Sequence, residues 1–244
     1  EQMEVVDPEA LHQARSSLAR FLAGGLEADF LRLYGALATT TAYQPETAQV
    51  GRRRLRNLCL GYLNELDSAD YRALARRQFD GSDNMTDQFA ALSVLANASG
   101  EEGNAALAAF YERWQNEALV VDKWLAVQSS GRLAATLARV ERLTAHPAFD
   151  IKNPNKVYAL IRTFGANHRH FHAADGAGYR FLAAQIAQLD PINPQVAARL
   201  ARCFDRWRRF DSEHQRHAKA ALASLRQQPA LSRDVFEVVD KALG

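Results

Sequence analysis

The chain has 244 residues, 48% apolar and 24% charged, with 13 glycines and 7 prolines, a composition that excludes a disordered or fibrous polypeptide and allows a sizeable buried core. Its formal charge of +2 lacks the basic excess of a dedicated nucleic-acid binder, so no nucleic-acid partner is expected. No apolar run nears the roughly 20 residues of a membrane-spanning helix, and the opening Glu1-Gln2-Met3-Glu4 shows no basic stretch followed by an apolar one, so neither a membrane partner nor a secretory signal is expected.

From the N-terminus onward the signals are helical. Asp7-Pro8 sets a capping side chain before a proline at the first helical position, where the missing N–H costs nothing. Asn153-Pro154 and Asn193-Pro194 repeat the device, and Ser68 and Asp83 are further N-cap candidates. Leu55, Leu58, Cys59, Tyr62, Leu63 and Leu66 recur at three- and four-residue steps, which predicts one broad apolar stripe. Phe89, Leu92 and Leu95 repeat the spacing, as do Leu133, Leu137, Val140 and Leu143. No run of alternating β-branched residues appears. Breaks near residues 24, 42, 67, 81, 100, 116, 130, 150, 175, 192, 210 and 229 leave helices of about 12 to 18 residues with short connections. The fold class is therefore all-α: antiparallel helix pairs stacked as an α-solenoid of the superhelical ARM/HEAT kind, in one continuous domain over residues 1–244.

The two cysteines, Cys59 and Cys203, lie far apart on helical faces, which implies free thiols and a reducing compartment. Asn84-Met85-Thr86 and Asn97-Ala98-Ser99 match the glycosylation pattern but read as chance in the absence of a secretory signal.

Candidate chemistry is sparse. A zinc peptidase needs two histidines one helical turn apart with a glutamate between them, and His-Glu-x-x-His occurs nowhere. In Glu213-His214-Gln215-Arg216-His217 the glutamate lies outside the histidines, and a solvated helix face is the better reading. His168 and His172 would share a face of a helix, but Asn167 and the following Ala-Asp-Gly point to a helix end and a loop. Asp175-Gly176-Ala177-Gly178 follows a helix rather than a strand, so it reads as a helix-to-helix turn, not a phosphate loop. Arg52, Arg53, Arg54 and Arg56 read as the wet side of a helix or as partners of carboxylates on a neighbouring one. Trp207, among Arg206, Arg208 and Arg209, reads as packing at a helix junction. In the helix starting at Asn193, Val196, Leu200 and Cys203 share one face while Gln195, Arg199 and Arg202 line another. By its own physics that second face is ordinary solvent surface; the other reading is a surface that holds a peptide's carboxylate or carbonyls near a positive helix start.

The wording of three stretches is specific: Phe149-Asp150-Ile151-Lys152-Asn153-Pro154-Asn155-Lys156-Val157, Phe171-His172-Ala173-Ala174-Asp175-Gly176-Ala177-Gly178-Tyr179, and Asn193-Pro194-Gln195-Val196-Ala197-Ala198-Arg199-Leu200. Arg54 to Leu63, Asp83 to Gln88 and Asp122-Lys123-Trp124 add to them. Together they resemble the C-terminal helical domain of the bacterial aminopeptidase N family, zinc metallopeptidases of the gluzincin type. The resemblance implies a larger hydrolase that removes N-terminal residues from peptides. Its zinc and catalytic residues lie in a thermolysin-like domain outside this chain, which holds no catalytic residue and no metal or other cofactor of its own. The implied role is to enclose the active-site cavity, gate peptide access and contact the distal part of the substrate. The implied partners are a peptide substrate and the catalytic domain of the same polypeptide, in the bacterial cytoplasm, with one apolar face exposed where that polypeptide is missing. By the same resemblance Arg199 and Gln195 match residues that line the family's cavity, and Tyr158 stands where some relatives carry a second arginine. His172 matches the family wording and is expected to fix the loop before Asp175. The alternative is a stand-alone α-solenoid scaffold for a protein partner.

Overall fold

A computed structural model describes residues 3–38, 43–98 and 100–244. The break expected near residue 42 and Ser99 of the second glycosylation pattern lie outside these. The regular elements among the described residues are helical, apart from an isolated bridge between Val6 and Phe210. The chain divides into two compact units: Leu11–Trp114, and the residues up to Ala10 together with Gln115–Gly244.

The unit Leu11–Trp114 holds most of α1 (Pro8–Gly25), then α2 (Glu27–Ala36), α3 (Thr47–Asn64), α4 (Ala69–Gly81), α5 (Met85–Leu95) and α6 (Glu101–Trp114). Consecutive helices pack on one another, α2 on α3, α4 on α5 and α5 on α6, as short connections require. Cys59, Leu60, Leu63, Leu92, Leu95 and Phe110 form the buried centre.

The stripe expected on α3 is split. Cys59, Leu60 and Leu63 are buried, but Leu55 and Leu58 are 40% and 52% exposed. The reason lies with the arginines, two of which turn inward. Arg53 is buried, donates to the Gln44 carbonyl at 3.2 Å and lies over the Tyr43 ring. Arg56 lies over the Tyr34 ring, 4.4 Å from its centre, and donates to its hydroxyl at 3.1 Å. These two are neither solvated nor paired with carboxylates, which corrects the sequence expectation; Arg54 is exposed.

Arg56 begins a buried polar chain. The Tyr34 hydroxyl donates to Gln78 Oε1 (2.9 Å), and Gln78 Nε2 donates to Asn57 Oδ1 (2.7 Å) and to the Asp87 carbonyl (3.0 Å). Asn57 and Asn84 then donate one amide each to the two oxygens of buried Asp87, at 2.8 and 3.0 Å. From the Tyr34 hydroxyl inward each of these groups is paired, and only the buried Arg56 Nε lacks a hydrogen-bond partner. Asn84, not Asp83, is the N-cap of α5, accepting from the Asp87 N–H at 2.9 Å, while Asp83 accepts from the Asn84 amide. Ser68 caps α4 as expected.

The second unit holds α7 (Ala118–Ser129) and α8 (Thr136–Thr144), then one continuous helical stretch in three parts: α9 (Pro154–Val157), a π turn (Tyr158–Arg162) and α10 (Thr163–Gly165). After it come α11 (His168–Phe171), α12 (Ala177–Leu189), α13 (Pro194–Ala201), 3-10 turns at Arg202–Phe204 and Trp207–Arg209, α14 (Ser212–Arg226) and α15 (Arg233–Leu243). Several of these are shorter than the expected length. The break at Ala166 and Asn167 is the clearest case: the Asn167 side chain donates to the carbonyls of Ser129 and Gly131, both at 2.9 Å, and so closes the end of α7 rather than continuing a helix. Buried Asp190, at the end of α12, accepts from the N–H of Ser232 at 2.7 Å and from its hydroxyl, fixing the start of α15. Trp207 is buried with its indole N–H on the Ala242 carbonyl at 3.0 Å, the junction packing its sequence implied. Both cysteines are free, and no helix among the described residues is long and apolar enough to cross a membrane.

The turn between α11 and α12 and the first residues of α12 show why glycine is needed twice. Gly176 has φ +70°, and a β-carbon there would sit 2.5 Å from the His217 ring; one on Gly178 would sit 2.4 Å from the His170 carbonyl oxygen. Beside them His172 is buried, with Nδ1 2.8 Å from the Tyr179 hydroxyl and its ring on Phe210. His214 is not on a solvated face, as its sequence implied: its Nδ1 is 2.8 Å from Asp211 Oδ2 and its Nε2 is 3.0 Å from the His172 carbonyl oxygen.

Burial, with His168 and His214 nearby, pushes His172 down from 6.5 to about 3. The sign follows from linkage: between those values the unfolded chain takes up a proton that the folded one refuses, so the stabilisation is complete above pH 6.5 and is lost as the pH falls toward 3. Asp211, held low chiefly by the His214 backbone N–H, adds stability that is lost only below 3.8. Lowering the pH from 7 to 5 should therefore cost about 2 kcal/mol through His172. Urea unfolding at both values checks this: His172→Phe should lose about that much less on acidification than the parent chain, and equal losses would refute the assignment.

Candidate functional site

The site is built from the residue pair Lys156 and Asp122 upward. Lys156, only 9% exposed, places Nζ 2.7 Å from Asp122 Oδ1 on α7 and donates to the Ala118 carbonyl at 3.0 Å. Asn153 caps the stretch by accepting from the Asn155 N–H at 3.0 Å, with Pro154 at the first helical position. The next two residues bring Tyr158 to the start of the π turn. There the Tyr158 carbonyl accepts both the backbone N–H of Thr163, five residues on, and the Thr163 hydroxyl at 3.1 Å, so one residue closes the widened turn twice.

The second element is α13. Asn193 accepts from the Val196 N–H at 3.1 Å, Pro194 follows, and Val196, Ala197, Leu200 and Ala201 are buried. That inward face leaves Gln195 and Arg199 exposed. Gly165 lets the two elements come close: a β-carbon on it would lie 2.7 Å from Cys203 Sγ.

Arg199 Nη1 donates to the Tyr158 hydroxyl at 3.0 Å. The structure thus brings together two of the three residues picked from the sequence; Gln195 shares the surface, and no bond joins it to either. Arg162, at the end of the π turn, places Nη1 4.0 Å from Cys203 Sγ and is exposed. Burial pushes the Cys203 thiol up, so this sulfur is packing rather than a nucleophile. Chemically the surface offers donors. The Tyr158 oxygen accepts from Arg199 and keeps its own proton to give, while the guanidinium has further N–H groups in a planar fork suited to a carboxylate or carbonyl.

Sequence reasoning missed Arg162, the Lys156–Asp122 pair and the π turn. The signal for the first was its position four residues after Tyr158. Among the described residues no three His, Cys, Asp or Glu side chains come together as a metal-binding set. The His168 and His172 rings do meet, 5.5 Å apart between centres, but His172 is engaged with Tyr179.

The family described as "Domain of unknown function (DUF3458_C) ARM repeats" matches residues 1–244. The chain belongs to that family. Its helical-repeat description agrees with the all-α, solenoid-type fold. The chain is 38% identical to aminopeptidase N of Haemophilus influenzae over 245 residues and 37% identical to aminopeptidase N of Escherichia coli over 246, in each case covering 100% of this chain and 28% of the relative. The crystal structure of Legionella pneumophila aminopeptidase A in complex with aspartic acid is similar with a TM-score of 0.91 and 32% identity, over 99% of this chain and 29% of that one. The chain therefore spans under a third of the length of the relatives it matches. The resemblance to an aminopeptidase N helical region, first seen in the sequence motifs, holds along its whole length.

Placing a DUF3458_C chain's candidate surface depends on the buried ion pair. Asp122→Ala would leave Lys156 buried without its counter-charge and should cost about 3 kcal/mol. Replacing both partners together, as Asp122→Leu with Lys156→Met, should cost much less. Urea midpoints of the three proteins decide it; equal destabilisation by the single and double variants would show that the charges are not a pair.

Proposed function

We propose that this chain is the C-terminal helical domain of an aminopeptidase N-type zinc peptidase of the bacterial cytoplasm, a single domain in the functional sense although it packs as two units. In this reading hydrolysis takes place on polypeptide outside the chain. The helical domain encloses the active-site cavity, gates the entry of peptides, and contacts the distal part of the substrate through Arg199 and Tyr158, with Gln195 beside them. In this reading no catalytic step falls to this chain. What the chain supplies is binding and orientation.

The observation that carries the reading is the bond from Arg199 to Tyr158, on an exposed surface of a chain related along its length to aminopeptidases. The phenol takes the place of a second cation. It fixes the guanidinium by a hydrogen bond without adding charge, so binding of a carboxylate keeps one full positive charge and gains a neutral O–H donor. Tyr158 therefore sets both the angle and the charge of the contact.

A charge-assisted contact is worth about 1.5–3 kcal/mol, the lower end applying to an exposed site. In the full-length enzyme Arg199→Ala should raise KM about tenfold for peptides of three or more residues and change it less than about twofold for a single-residue amide. Tyr158→Phe should give a smaller loss, about threefold, confined to the longer peptides. Steady-state kinetics on both substrate classes provide the check, and equal losses on both would overturn the role.

A further inference from the structure

Arg162 lies beside Arg199 and Tyr158, and no role described so far uses it. Tyr158 and Arg162 open and close the π turn, and Arg199 and Cys203 are spaced in the same way across the end of α13 and its 3-10 turn. The two pairs meet in register. Arg199 Nη1 donates to the Tyr158 hydroxyl at 3.0 Å, and one step further on Arg162 Nη1 lies 4.0 Å from Cys203 Sγ. These contacts join the four side chains into one patch, whose two arginines are offset by one helical step, roughly 6 Å along the axis.

Both arginines are exposed, and among the described residues neither forms an ion pair. Exposed arginines elsewhere in the second unit are matched by acid, Arg216 with Glu213, Arg226 with Asp240 and Arg233 with Glu237. Here the partners are neutral. One is a phenol, and the other is a thiol that burial keeps protonated against the pull of the Arg162 charge. Asp205 is near enough to push that thiol up further, yet no ion pair joins it to Arg162. The patch therefore holds two uncompensated positive charges, each a planar fork of donors suited to a carboxylate.

We propose that Arg162 is a specificity-determining residue of this surface: it pairs with the side-chain carboxylate of a final Asp or Glu while Arg199 holds the peptide's terminal carboxylate, so peptides ending in an acidic residue are favoured. This rests on the reading that Arg199 contacts the distal part of the substrate. A final acidic residue presents two carboxylates a few bonds apart, one for each arginine; a neutral one leaves Arg162 facing water.

Steady-state kinetics of the full-length enzyme on two tetrapeptides that differ only in a final Glu or Gln provide the test. The parent enzyme should show a KM about threefold lower for the Glu peptide at equal kcat, the size of effect an exposed ion pair supports. Arg162→Gln should raise that KM to the value for the Gln peptide, whose own KM stays within about twofold. Arg162→Glu should reverse the preference. Arg233→Gln removes an equal charge from α15 and should leave the preference in place; its loss there would make net charge the cause and overturn the proposal. Arg199→Ala should weaken both peptides, which separates the two claims. If it weakens neither, the earlier reading falls and this one with it. If it weakens both, but the parent shows no Glu preference or Arg162→Gln keeps it, the proposal alone is overturned. An Arg162→Gln variant that loses equally on both peptides would likewise show a merely structural role and refute it.

Discussion

The buried contact between Lys156 and Asp122 governs where the candidate surface lies. A charged amine taken out of water is tolerated next to an opposite charge and a hydrogen-bond acceptor, and α7 supplies both, the carboxylate of Asp122 and the carbonyl of Ala118. A second anchor follows eleven residues later in the chain, where the Asn167 amide holds the carbonyls at the far end of α7. The segment between these anchors is held along α7 at both ends, which leaves Tyr158 little freedom before Arg199 reaches it. Its position follows from two polar grips on one neighbouring helix.

Several of the motifs that resemble the aminopeptidase N family are built into the fold. Arg56 and Asn57 from the stretch Arg54 to Leu63, and Asn84 and Asp87 from Asp83 to Gln88, form one polar chain around Tyr34 and Gln78. Asp122 of Asp122-Lys123-Trp124 is the counter-charge of Lys156. The glycines of the Asp175-Gly176-Ala177-Gly178 turn stand where a β-carbon would strike His217 or the His170 carbonyl. Such residues are specific because a buried donor or acceptor has a narrow choice of partners, so they mark a family through its packing.

How much of this could be read from the sequence depends on the range of the interaction involved. Caps are local, and Ser68, Asn153 and Asn193 stood where the sequence put them. Asp83 was the candidate read from the sequence, but its neighbour Asn84 is the cap, accepting from the Asp87 N–H while its amide reaches the Asp87 carboxylate. The leucines of α3 were misread because periodicity identifies a stripe but not what covers it. Arginine counts as polar in any such pattern, yet on a tyrosine ring it packs as an inward-facing residue. Arg199 and Tyr158 were picked out through resemblance; that they touch depends on a close approach at Gly165 that no local pattern reveals.

The π turn has an outcome for any change in chain length. Buried positions on either side of it fall at strict four-residue steps, Lys156, Leu160 and Phe164 on one line and Val157, Ile161 and Gly165 on the other. A regular α-helix would let such lines drift by about 40° at every step; the wider turn absorbs the drift and keeps both lines facing inward. Deleting one residue here would let the coil close to ordinary pitch and leave the segment beyond it near its present orientation, because the turn holds one residue more than an α turn. The same deletion in a regular helix such as α12 would swing every later position by roughly 100° and carry its buried side chains out of the core.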